Sequence, residues 1–196
     1  MKLVKFTLLA IFALGAYLLL WPVAIDPVAW QAPKATGYVG PWASNNALAD
    51  LDLLSLDGHH GPEDFALRDD GVIATATHSG DIMLLATKSN EFKTWVSTGG
   101  RPLGIEYDLQ GNLLVADAMK GLLSISPNGD ISLLTNQVDD ADIVYADDVD
   151  VAQNGMVYFS DATSKFSASQ FGGTLPASLL EIMEHKGNGR LLQYNP

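Results

Sequence analysis

Cysteine is absent from the 196 residues, and positive charge is scarce: 11 Lys and Arg stand against 23 Asp and Glu, a net charge of −12. Without cysteine there is no disulfide framework, no thiolate metal site and no thiol nucleophile. The acidic balance argues against nucleic acid as a partner, because duplex binding depends on Lys and Arg set against phosphates. Also missing are a Gly-x-Ser-x-Gly elbow, a Gly-rich phosphate loop, a dinucleotide fingerprint and any zinc-ligand spacing. Charged residues make up only 17% of the chain and hydrophobic ones 47%. A chain of that make-up is not disordered, and its length corresponds to about one domain with an appendage.

The appendage is at the N-terminus. Leu3–Trp21 is apolar apart from Lys5 and Thr7, and Phe6–Trp21 carries no charge. That approaches the ~20 residues a helix needs to cross a bilayer. Lys2 and Lys5 precede the run without a neighbouring acid, which predicts a cytoplasmic N-terminus. Trp21 marks the far interface and Pro22 the end of the helix. A cleaved signal peptide is the competing reading, but bulky Leu18-Leu19-Leu20-Trp21 stands where cleavage needs small residues. The expectation is a signal-anchor transmembrane helix over residues 1–23, reaching the membrane through residues 3–23. A linker or stalk follows over 24–50, with a globular region over 51–196 on the extracytoplasmic side (periplasmic in a bacterium). The stalk region from Pro22 to Leu48 holds four of the nine prolines, and its Trp30, Tyr38 and Trp42 predict partial packing.

From residue 60 onward one pattern recurs. Phe65–Gly71 leads into Val72-Ile-Ala-Thr, Ile105–Gly111 into Leu113-Leu-Val-Ala-Asp117, and Val149–Gly155 into Met156-Val-Tyr-Phe-Ser-Asp161. The turn glycines Gly71, Gly111 and Gly155 are 40 and 44 apart. A polar residue followed by Gly between short apolar strands signals a hairpin, since Gly reaches positive φ without steric cost. Four short strands recurring every ~40–50 residues are the pattern of a β-propeller blade. The expected class is therefore all-β, with about three blades. Rings close with roughly four to eight blades, so the chain reads as the N-terminal part of a longer protein. The best helical candidate after residue 50 is Pro176–His185, inside the third unit.

Two acidic features stand out. Glu63, in Gly61-Pro-Glu63-Asp64, precedes the first strand. A second run, Asp139 to Asp150, holds six carboxylates in twelve residues. Such a set can hold Ca²⁺, a hard cation that takes six to eight oxygens, though the run lacks the EF-hand glycine and closing Glu. Asp147 and Asp148 are its better candidates, because they stand just before a strand as Glu63 does. A solvated acidic loop is the alternative. Arg101 and Lys120 flank turns and read as surface residues.

The strings Gly61-Pro-Glu63, Gly100-Arg-Pro-Leu-Gly-Ile105, Val115-Ala-Asp-Ala-Met-Lys-Gly-Leu122, Val157–Lys165 and Gly189-Arg-Leu-Leu-Gln-Tyr194 occur in this order. In that order they resemble the strictosidine synthase-like family, over about residues 60–196. The resemblance implies a six-bladed β-propeller and kinship with calcium-dependent gluconolactonases and paraoxonase-type arylesterases. It further implies Ca²⁺ in a central channel, with Glu63, Asp147 and Asp148 as ligands; Asp147 stands where the family usually has Asn. Leu103 stands where paraoxonases have a His. The implied activity is a membrane-anchored hydrolase of small-molecule esters or lactones. A non-enzymatic binding scaffold and a metal-free strictosidine synthase-type lyase are the alternatives.

Overall fold

Three hairpins of the same construction organise the chain. In the computed structural model, which describes residues 2–86 and 90–196, each repeat glycine closes a short loop. Gly71, Gly111 and Gly155 have φ of 86°, 83° and 83°. Their N–H groups donate to the carbonyls of Arg68, Asp108 and Ala152, whose own N–H groups donate to Val72, Asn112 and Met156. Each is a three-residue hairpin loop with glycine in the left-handed position, rather than a two-residue turn.

The hairpins build successive antiparallel sheets. β1 (Phe65–Leu67), β2 (Ile73–Ala76), β3 (Asp81–Leu85) and β4 (Phe92–Ser97) form the first. β5 (Pro102–Tyr107), β6 (Leu113–Asp117), β7 (Gly121–Ile125) and β8 (Ile131–Thr135) form the second. A small ribbon of β9 (Gln137–Val138) and β10 (Ala141–Asp142) leads to β11 (Ala146–Val151) and β12 (Val157–Asp161). An 11-residue helix follows, then β13 (Arg190–Tyr194), which completes a three-stranded third sheet with β11 and β12. Strands pair in sequence order within each sheet, as in propeller blades.

Packing between sheets explains the sequence of β6. Leu113 and Val115 face the first sheet, in a cluster with Ala66, Ala74, Ile82 and Ile105. Leu114 and Ala116 face the third, against Ala146, Val149, Val157 and Phe159. Both faces of the strand are covered, so Leu-Leu-Val-Ala reads as an uninterrupted apolar run rather than an alternating one. The first strands β1, β5 and β11 lie side by side across the sheet boundaries. They are the inner strands.

The helix within the third unit spans Thr174–Glu184 and ends at His185 with φ of 56°, close to the segment expected from sequence. We call it α2, and the N-terminal helix Lys2–Leu20 α1. α1 is long and apolar enough to cross a membrane, and every residue of it lies outside the core. In the stalk Ile25 joins a cluster of Leu103, Ala118, Tyr145, Phe166 and Ala177, and Asp26 and Val28 bond to Glu184, whereas Tyr38 and Trp42 are exposed.

Candidate functional site

Strand register brings the sequence candidates together. In the second sheet Pro102 pairs with Asp117 and Ile105 with Val115, so Leu103 and Gly104 form an irregularity between them. In the third, Ala146 pairs with Asp161 and Val149 with Phe159, leaving Asp147 and Asp148 in the same position. In the first sheet, Glu63 and Asp64 immediately precede β1. Each of Glu63, Leu103 and Asp147 stands eight residues before its repeat glycine. Register thus makes Glu63-Asp64, Leu103-Gly104 and Asp147-Asp148 equivalent dipeptides at the start of the three inner strands. An irregularity of this kind re-aims side chains that a regular strand would send to alternating faces.

These six residues line one cavity of about 260 Å³. Asp147 and Asp148 lie within β11 rather than before it. Asp139 and Asp140 belong elsewhere: they form the tight turn between β9 and β10, with φ of 49° and 63°. The acidic run is thus divided between a surface hairpin and an inner strand.

Each carboxylate is held differently. Arg101, read from sequence as a surface residue, is 4% exposed. Its Nη2 donates to Glu63 Oε1 at 2.7 Å, and its Nη1 to the carbonyls of Pro102 and Gly61. Arg101 is itself fixed at the backbone, where its N–H donates to Asp117 Oδ1. Asp64 accepts from the N–H groups of Phe65 and Ile105 and so ties the first inner strand to the second. Asp148 accepts from the N–H of Val149. Gly104 makes room for it: a Cβ there would stand 2.5 and 2.6 Å from Asp148 Cα and Oδ1. Burial, then the charges of Asp148 and Glu63, push the Asp147 carboxyl above the usual Asp range. Further along the inner strands, burial likewise raises Glu106, with added repulsion from Asp150 and Asp64.

The cavity therefore concentrates hard oxygen donors, and Arg101 is the one cation that the described contacts bring to it. Repulsion from Asp148 and Glu63, second to burial in raising Asp147, is what a divalent cation would relieve. Carboxylate oxygens are the hard donors that Ca²⁺ takes. Among the described residues, however, no group of three or more His, Asp or Glu is arranged to hold a metal ion. A larger cavity of about 470 Å³ lies outside the inner strands, beside Lys120, Asn136, Asp142 and Ser167. Its Lys120 ammonium is already donated to the Thr98 carbonyl, and the repeat positions do not converge there.

Sequence reasoning missed Asp64, Gly104 and Arg101. The first two stand seven residues before their repeat glycines, next to the eight-residue positions, and that spacing would have found them. Arg101 carries no such signal, because its burial follows from the close approach of the loop around Gly61.

With this geometry in hand, the matches to known proteins define a class. Residues 40–85 match the family "Strictosidine synthase-like, N-terminal". Strictosidine synthase-like protein 4 of Arabidopsis thaliana is 35% identical over 164 residues, covering 81% of this chain and 42% of that protein. The human adipocyte plasma membrane-associated protein is 30% identical over 201 residues, covering 93% of this chain and 45% of that one. Among solved structures, a catalytically inactive virginiamycin B lyase from Staphylococcus aureus with quinupristin aligns at a TM-score of 0.50. It is 12% identical, over 74% of this chain and 44% of that one, and supports the propeller fold alone. The chain is thus a β-propeller protein with the N-terminal signature of the strictosidine synthase-like family. It spans less than half the length of each of these relatives.

Proposed function

We propose that the protein is a membrane-anchored, calcium-dependent hydrolase of small-molecule esters or lactones, with its site in the central channel of a six-bladed propeller. The observation that carries this reading is the convergence of Glu63, Asp147 and Asp148, from the first and third inner strands, on one cavity. Asp147 is partly buried there, and the charges of Asp148 and Glu63 add repulsion to its carboxylate. Lys2 and Lys5 orient α1 with its N-terminus in the cytoplasm, leaving the propeller on the extracytoplasmic side.

In this reading Glu63, Asp147 and Asp148 would hold the ion, whose chemistry would be to polarise the ester or lactone carbonyl and stabilise the charge developing on its oxygen. Arg101 restrains one oxygen of Glu63 and leaves the other to the cavity. Gly104 lets Asp148 sit against β5, and Leu103, 4% exposed, gives the second blade an apolar wall where a His would offer a base.

One observation favours the non-enzymatic scaffold instead: Arg101 already neutralises Glu63 in a well-formed ion pair. Thermal unfolding of the full-length protein with Ca²⁺ and with chelator separates the two. Ligand binding to the native state raises stability as RT ln(1 + [L]/Kd). The hydrolase reading predicts an upward shift that Glu63→Gln abolishes without loss of fold; an equal shift in that variant removes the site assignment.

A further inference from the structure

The third unit carries an apolar surface that the fold leaves uncovered. α2 buries Ala177 and Glu184 and rests Leu180 on the cluster around Leu103. Its other face shows Leu175, Leu179, Ile182 and Met183, each between 50% and 69% exposed. At about 100° per residue these four positions fall within one arc of roughly 100°, a continuous stripe along the helix.

The chain leaving α1 is fastened to the C-terminal end of this helix. The Asp26 N–H donates to Glu184 Oε2 at 2.8 Å, and the Val28 N–H to the Glu184 carbonyl at 2.8 Å. Lys186 pairs with Asp26, and the Trp30 ring lies 5.1 Å from that of His185. Glu184 is itself enclosed and accepts from Lys165 and Asn188. The five residues from Trp21 to Asp26 extend at most about 18 Å, so α2 cannot leave the neighbourhood of the anchor's far end. Trp30 and Val28, 63% and 48% exposed, add apolar surface at that junction.

We propose that α2 lies on the bilayer, with Leu175, Leu179, Ile182 and Met183 set into the headgroup–acyl boundary beside the anchor. The proposal rests on reading α1 as membrane-spanning. α2 contains no Lys or Arg, so its partner is the apolar boundary of a zwitterionic bilayer rather than anionic headgroups. Leu103 belongs both to the cluster under α2 and to the lining of the acidic cavity. The helix therefore holds that cavity near the lipid surface.

The absence of cysteine permits a direct test. Single variants Leu179→Cys and Ile182→Cys of the full chain carry a polarity-sensitive dye in phosphatidylcholine vesicles. Phe12→Cys in α1 and Leu133→Cys on the exposed side of β8 serve as membrane and aqueous references. The expected result is blue-shifted emission at 179 and 182, with loss of intensity when nitroxide-labelled lipid is added, as at 12 and unlike 133. Quenching at 12 with 179 and 182 behaving like 133 overturns the proposal and leaves the anchor intact. No quenching at 12 removes the anchor and the proposal together. A blue shift at 179 and 182 that nitroxide lipid leaves unquenched assigns the stripe to a protein partner and also overturns it.

Discussion

Asp147 is the residue at which the electrostatics of the cavity are most exposed to measurement. Its native carboxyl keeps a proton to higher pH than an unfolded Asp, owing to burial first and to Asp148 and Glu63 second. The native state therefore loses relative stability as pH rises from the ordinary value of 3.8 through the raised one. In chelator, Asp147→Asn is expected to melt above the parent at pH 7 and to lose that advantage below pH 3.8. Melting curves across this range check it, and addition of Ca²⁺ at pH 7 is expected to favour the parent. Gly104→Ala tests the close approach of β5 and β11: the added methyl meets the Asp148 backbone, so a loss of about 1–3 kcal/mol is expected in denaturant unfolding.

Among the elements, β6 carries the packing between sheets because it is buried on both faces. Leu113, with no exposed surface, is expected to cost about 2–5 kcal/mol on truncation to Ala, read as a shift of the urea midpoint. The blades themselves were legible from the repeat glycines and the short apolar strands. Glu63, Asp147 and Asp148 could be read from their place at strand starts together with the family likeness. The hairpin of Asp139 and Asp140 could not be separated from β11 by composition, because an acidic run looks the same in a turn and in a strand. Arg101 was misread for a similar reason: a charged residue beside two glycines has the local pattern of a surface turn. Its guanidinium bonds to Gly61 and Glu63, 40 and 38 residues earlier, contacts that local sequence does not show. The stalk's attachment to Glu184 spans 158 residues and leaves no local trace in sequence.

For the whole molecule, the acids of the three inner strands decide the account. Glu63, Asp64, Glu106, Asp147, Asp148 and Asp150 gather around these strands, with Arg101 as the basic partner of Glu63. A net charge of −12 adds a field that draws cations and repels anions. The most direct measurement is the melting temperature of the full-length protein in Ca²⁺ and in chelator, beside that of Glu63→Gln. The account predicts an upward shift of several degrees with Ca²⁺ that is absent in the variant, while both proteins unfold cooperatively. A well-folded parent indifferent to Ca²⁺, or a variant that shifts as much as the parent, contradicts it.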